Sequence, residues 1–287
     1  GFSIALLLLT LVVGGGVGGV QRWVSVFGLQ FQFSEVAKIL LAVVLAHYLA
    51  TRSRDIGSFR TLVGAGLIVA PLLALVLIQP DLGTSLVFGA IMLGSLFFAG
   101  ASLRWLTVTV LGVLAMVPVA WQFILRDYQK QRLVSFLDPG ADPLGSGFQL
   151  QQSQITVGSG GLFGRGLTNS LAGQNLPVGS TDFVFAHVGE QLGFLGGSVV
   201  LVLFALLIWR VLHVGWSSGD TFTLAFSGGI AGMLLFQMIV NIGMVLGAMP
   251  ITGLPLPFVT YGGASLLSAA LGLGILESLA MRRSRST

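Results

Sequence analysis

Asp182 closes a long polar stretch and opens an apolar run, Phe183-Val-Phe-Ala-His-Val-Gly-Glu190. A carboxylate so placed serves either as a helix N-cap or, at the mouth of a polar cavity, as a general base. Glu190 follows eight residues later, about 12 Å further along a helix at 1.5 Å per residue. His187, between them, reads as a hydrogen-bonded packing residue. Arg126, Lys130 and Arg132 share one amphipathic stretch. Such cations suit a diphosphate, through charge-assisted hydrogen bonds, and suit lipid headgroups equally.

Other ionisable groups stand inside or beside apolar runs. Glu35 and Lys38 lie at i and i+3, on one helix face, with Ser34 as the expected N-cap. They read either as a buried ion pair or as the lining of a polar cavity in which Lys38 meets an anionic ligand. Arg22 precedes Trp23, the kind of pair that sits at a membrane interface and meets headgroups. Asp81, after Pro80 and before Leu82-Gly-Thr84, suits an N-cap. The run Gly158-Ser-Gly-Gly-Leu-Phe-Gly-Arg-Gly166 resembles a phosphate cradle, but it lacks the Lys-Ser/Thr ending of a P-loop and follows no strand. Pro250, Pro255 and Pro257 forbid a continuous helix across 249–258. Irregular backbone at membrane depth is tolerated only under protein or along a cavity, so this segment is expected to be re-entrant or cavity-lining.

These groups need a scaffold, and composition indicates its solvent. Of 287 residues only 8% are charged, and mean hydropathy is +0.94. A soluble domain carries about 25% charged residues. The 41 glycines fit closely packed membrane helices. The absence of cysteine excludes disulfides and thiolate chemistry, and three scattered histidines argue against a His-based metal cluster. No basic face with interleaved aromatics points to nucleic acid. The apolar start at Gly1 has no basic n-region or cleavage site, so no signal peptide is expected.

A spanning helix needs about 20 mostly apolar residues. Eight runs qualify: Phe2–Val20, Glu35–Ala50, Thr61–Gln79, Leu82–Gly100, Leu103–Leu125, Phe183–Val214 with a kink at Gly193–Gly197, Thr221–Leu246 and Tyr261–Met281. The fold class is therefore all-α and polytopic, a single membrane domain over 1–287 with one long loop, 127–182. Alternating the spans collects Arg52, Arg54, Arg60, Arg104, Arg210, Arg282, Arg283 and Arg285 on one side, the cytoplasm by the positive-inside rule. The long loop then lies outside.

Several motifs together resemble the RodA/FtsW (SEDS) family, and RodA in particular. They are Gly19-Val-Gln-Arg-Trp23, Phe31-Gln-Phe-Ser-Glu35 with Lys38, Gln79-Pro-Asp-Leu-Gly-Thr84, and Arg132 with Phe136-Leu-Asp-Pro139. Gly158-Ser-Gly-Gly-Leu162, Leu176-Pro177 with Thr181-Asp-Phe183, and Pro250-Ile-Thr-Gly-Leu-Pro-Leu-Pro-Phe258 with Tyr261-Gly-Gly263 complete the set, in order along the whole chain. The resemblance implies ten spans, so two N-terminal spans are expected to be missing here. It implies a glycosyltransferase that polymerises lipid II into glycan strands outside the cytoplasmic membrane, in cell elongation, beside a class B penicillin-binding protein. Asp182 matches the family's essential acid. Arg22, Glu35, Lys38 and Arg132 match polar residues around its cavity, and Asp81 is grouped with this substrate-binding set. Two departures are Phe33, where the family usually has Pro, and Gln191, where it often has Glu.

That activity needs no nucleotide, because the donor already carries a lipid diphosphate leaving group. A carboxylate takes the proton of the acceptor 4-hydroxyl, which attacks the anomeric carbon, and one displacement turns the α donor into a β linkage. Cations, or a divalent ion such as Mg or Mn, would stabilise the departing diphosphate. Two other readings stand beside this one: a flippase of lipid-linked precursors, which needs a polar path across both leaflets, and an inert scaffold. The arginines at cytoplasmic helix ends offer no such path.

Overall fold

A computed structural model describes residues 2–13, 24–26, 29–166 and 181–284. It is helical apart from a small hairpin, β1 (Val24–Val26) with β2 (Leu29–Phe31), antiparallel with Ser25 opposite Gln30. The sequence reading did not anticipate this hairpin. The helices are α1 (Phe2–Val13), α2 (Phe33–Thr51), α3 (Phe59–Ile78), α4 (Leu82–Ala99), α5 (Leu103–Ala115), α6 (Val117–Phe123), α7 (Asp127–Leu137), α8 (Ser146–Ser159), α9 (Val184–Ser218), α10 (Thr221–Val245) and α11 (Gly263–Ser284). Short 3-10 turns lie at Pro139–Ala141 and Thr181–Phe183.

Seven helical segments among the described residues are long and apolar enough to cross a membrane. They match seven of the eight expected runs. In the eighth, α1 covers 2–13, and residues 14–20 lie outside the described part. Along Leu103–Phe123 only 6% of the apolar window is buried. Leu111, Val113, Leu114 and Val117 are each more than half exposed. Water would penalise such a surface heavily, whereas lipid does not, and the chain is a multi-pass membrane protein.

The chain divides into two compact units. One comprises 1–114, 208–236 and 262–287, the other 115–207 and 237–261. In the first, α2 buries Ala37, Ile39, Leu41, Ala42, Leu45, Ala46 and Leu49. There α4 and α10 come close where Gly94 faces Gly228 and Gly232, and a methyl group on Gly94 would meet the Gly228 carbonyl. Backbone approach of this kind lets membrane helices pack without a hydrophobic drive between them. The second unit has an apolar cluster of Leu150, Phe183, Phe185, Phe204, Ile242, Met244, Ile251 and Leu256.

Two local details differ from expectation. Helix α2 starts at Phe33 with Gln32 as N-cap, so Ser34 lies inside the first turn and its buried hydroxyl makes no hydrogen bond among the described residues. The long loop is not featureless, since α7 and α8 occupy much of it, fastened by Ser146 Oγ donating to Asp142 at 3.0 Å and by Ser153 Oγ donating to the Val245 carbonyl at 3.0 Å.

The expected orientation has a direct test. Leu144, between α7 and α8, is 94% exposed, and Ser53, between α2 and α3, is also exposed. The chain has no native cysteine to interfere. An impermeant maleimide added to intact cells lacking a permeability barrier outside the cytoplasmic membrane should label Leu144→Cys and spare Ser53→Cys. The opposite pattern would reverse the assigned sides.

Candidate functional site

In the second unit, Asp182 sits in the 3-10 turn that leads into α9, and Arg132 projects from α7. The two are linked through the irregular segment 250–258. Gly253 adopts φ +74°, a backbone conformation that L side chains rarely take. A β-carbon built there would lie 3.4 Å from Asp182 Oδ2 and 3.9 Å from Arg132 Nη1. Carboxylate and guanidinium thus both approach the same face of residue 253. Arg132 Nη1 donates to the Ile251 carbonyl at 3.4 Å, and its guanidinium lies 5.8 Å from the Tyr128 ring centroid. An arginine carries five N–H donors, and among the described residues Arg132 uses one of them, on the Ile251 carbonyl.

Asn241 on α10 fastens the same region. Fully buried, it donates through Nδ2 to the Asp182 carbonyl at 2.8 Å and to the Leu254 carbonyl at 2.7 Å. Leu256 N donates to Thr260 Oγ1 at 2.8 Å, which gives one more backbone group of this turn a partner. The segment is therefore irregular backbone, as the three prolines imply, with Ile251, Leu254 and Leu256 buried.

The glycine-rich run 158–166 has a structural task. Helix α9 breaks at Gly193, with φ 68° and ψ −165°. The N–H groups freed beyond the break, Phe194 and Leu195, donate to the carbonyls of Gly161 and Leu162 at 2.9 and 3.2 Å. Conversely, Arg165 and Gly166 donate to the carbonyls of Glu190 and Gln191 at 2.9 and 3.1 Å, and Gly164 to Gly160 at 2.8 Å. A phosphate cradle needs free N–H groups, and these are taken. Any side chain at Gly193 would run into the backbone of Leu162 and Gly164. An apolar cavity of about 260 Å³ beside this break is lined by Val157, Phe185, Gly193, Leu201 and Ile242, among others, and includes neither Asp182 nor Arg132.

The remaining residues singled out from sequence belong to the first unit. Lys38 Nζ contacts both carboxylate oxygens of Glu35, at 2.7 and 2.8 Å, and Ser268 Oγ on α11 donates to Glu35 Oε2 at 3.2 Å. Lys38 and Glu35 are 1% and 3% exposed. Asp81 caps α4: Oδ1 accepts from Thr84 N at 3.1 Å and Oδ2 from Thr84 Oγ1 at 2.9 Å, with Gln32 Nε2 donating to Oδ2 at 3.3 Å. Arg22 lies outside the described residues.

Sequence reasoning missed Asn241, Gly253 and Ser268. Asn241 did leave a signal, a lone amide in the apolar run Met238-Ile-Val-Asn-Ile242, because a polar group at membrane depth usually has an assigned partner. Among the described residues no three His, Cys, Asp or Glu side chains converge as a metal site.

An acid and a guanidinium converge at one irregular turn of a polytopic helical membrane protein. The family model for the cell cycle proteins FtsW, RodA and SpoVE matches residues 2–285, and this chain belongs to that family. The peptidoglycan glycosyltransferase MrdB of Escherichia coli K12 is 40% identical over 289 residues, covering 98% of this chain and 77% of the relative. A chain from a peptidoglycan synthase complex, solved to show how polymerization and crosslinking are coordinated, superposes with TM-score 0.82 at 35% identity, over 98% of this chain and 79% of the other. The rod shape determining protein RodA of Thermus thermophilus superposes with TM-score 0.69 at 31% identity, over 98% and 76%.

Proposed function

We infer that this chain is a peptidoglycan glycosyltransferase that polymerises lipid II, an undecaprenyl-diphosphate-linked disaccharide peptide, at the outer face of the bacterial cytoplasmic membrane. Asp182 is its general base, and Arg132 holds the donor diphosphate. The observation that carries this assignment is the convergence of Asp182 Oδ2 and Arg132 Nη1 above Gly253.

The chemistry follows from those two groups. Asp182 accepts the proton of the acceptor 4-hydroxyl as its oxygen bonds to the anomeric carbon. The bond from that carbon to the diphosphate oxygen breaks on the opposite face, so configuration inverts. Arg132 supports the charge that builds on the leaving diphosphate, a group that matches its fork. A diphosphate departs without protonation, so no second carboxylate is needed.

The described residues do not provide a protein-built metal site. Mg or Mn at this site would be held mainly by diphosphate oxygens and water, the way Mg usually binds with few protein ligands, and no step above depends on it. The hydrogen bonds of Asp81 identify it as the cap of α4. The likeness to a rod shape determining protein supports a role in cell elongation. The likeness to a chain of a synthase complex that couples polymerization to crosslinking supports a class B penicillin-binding protein as partner.

Purified full-length protein, given lipid II in detergent or proteoliposomes, should form β-linked glycan strands that a muramidase digests. Addition of the class B penicillin-binding protein from the same cell should raise the rate. No polymer with or without that partner would overturn the assignment.

A further inference from the structure

We propose that Asn241 is a positioning residue for Asp182: its side-chain amide fixes the turn that carries the base against the turn that carries Gly253. This rests on Asp182 acting as the base.

The geometry makes the role specific. An amide NH2 group has two N–H donors. One goes to the main-chain carbonyl of Asp182 at 2.8 Å and the other to that of Leu254 at 2.7 Å. Turned over, the side chain would present its carbonyl oxygen to two other carbonyl oxygens, so the network sets the orientation. In that orientation Oδ1 is buried and makes no hydrogen bond among the described residues. Asn241 therefore acts only as a donor, to two acceptors 72 residues apart in the chain. Neither acceptor has a regular helix to hold it. Asp182 lies in a single 3-10 turn, and Leu254 lies in the irregular segment between Gly253, which both charged groups approach, and Pro255. Ile251, three residues before Leu254, receives the hydrogen bond from Arg132. One amide, carried on a long buried helix, thus sets the registry between the turn that bears the base and the turn that bears Gly253.

A buried amide could also do no more than satisfy two carbonyls, and the experiment separates the two roles. Asn241→Leu keeps the volume and removes both donors. If Asn241 positions the base, kcat per folded protein should fall by a factor on the order of 10², the cost of about an ångström of misplacement, with KM for lipid II changed little. In the Asp182→Asn background the same substitution should leave the residual rate unaltered, because there is no longer a base to misplace. Such non-additivity marks groups that act together.

Parallel loss in both backgrounds, an unchanged rate per folded protein, or a rise in KM that accounts for the whole loss would overturn the proposal. If Asn241→Leu does not accumulate as folded protein, Asn241→Ser, which keeps one O–H donor, is read in the same way and should show a smaller fall in kcat. High activity of Asp182→Asn alone would instead refute the base assignment, so the two failures are distinguishable.

Discussion

Asp182→Asn should give a folded, inserted protein whose lipid II polymerisation is reduced by a factor on the order of 10² or more, the usual contribution of a general base. The substitution isolates the carboxylate, because it keeps the shape of the side chain and the main-chain contact at 182. Asn shares the preference of Asp for helix starts, so the 3-10 turn that leads into α9 is retained. The hydrogen bond from Asn241 ends on the main-chain carbonyl of Asp182 and is indifferent to the side chain. The amide is also the same size as the carboxylate, so the approach of residue 182 to Gly253 is kept. Arg132 keeps its bond to the Ile251 carbonyl, so donor binding should change far less than turnover. The measurement is polymer formed per folded protein, with folding followed by thermal unfolding in the same detergent. Substantial polymerisation by well-folded Asp182→Asn protein would sink the assignment and leave residue 182 as a helix cap.

The expected spans were legible because hydropathy reports the solvent of each segment, and a bilayer fixes how long such a segment must be. The break in α9 was legible too, from Gly193 and its neighbours in an otherwise apolar run. What spacing could not show was where the chain returns. Arg132 meets Ile251, 119 residues away, and Asn241 meets Asp182, 59 residues away. Both meetings depend on backbone conformations in segments with no period to read. The start of α2 was misplaced for a related reason. Serine is a good cap in general, but the chain enters α2 directly from β2, which puts Gln32 at the cap and leaves Ser34 buried. The run 158–166 looked like an anion site because its composition is that of one. Only the hydrogen-bond accounting for Gly164, Arg165 and Gly166 shows that its N–H groups serve the broken helix. Asp182 and Arg132 drew notice by residue type and setting, since ionisable groups beside apolar spans are expensive to keep without a task, but pattern alone left the cap and headgroup readings open, and the roles proposed for them came from the family resemblance.

The Glu35–Lys38 pair left both a structural and a ligand-binding reading open from sequence, and its geometry favours the structural one. Lys38 lies between the two oxygens of Glu35, is 1% exposed, and Ser268 adds a hydrogen bond from α11 to the same carboxylate. Lys38→Met should therefore be strongly destabilising, by about 3–5 kcal/mol, since it strands a buried carboxylate without its counter-ion. The double substitution Glu35→Gln/Lys38→Met should recover most of that stability. It removes both charges, keeps the volumes similar, and leaves an amide oxygen at position 35 for Ser268 to donate to. If the pair only fastens α2 to α11, polymerisation per folded protein should return together with stability. A diphosphate ligand on Lys38 predicts the reverse split, because the double variant would then fold well and still use lipid II poorly, with a raised KM. Thermal unfolding and polymerisation measured in parallel on wild type, single and double variants decide between them, and a stable but inactive double variant would move Lys38 from the packing of the first unit into the substrate site.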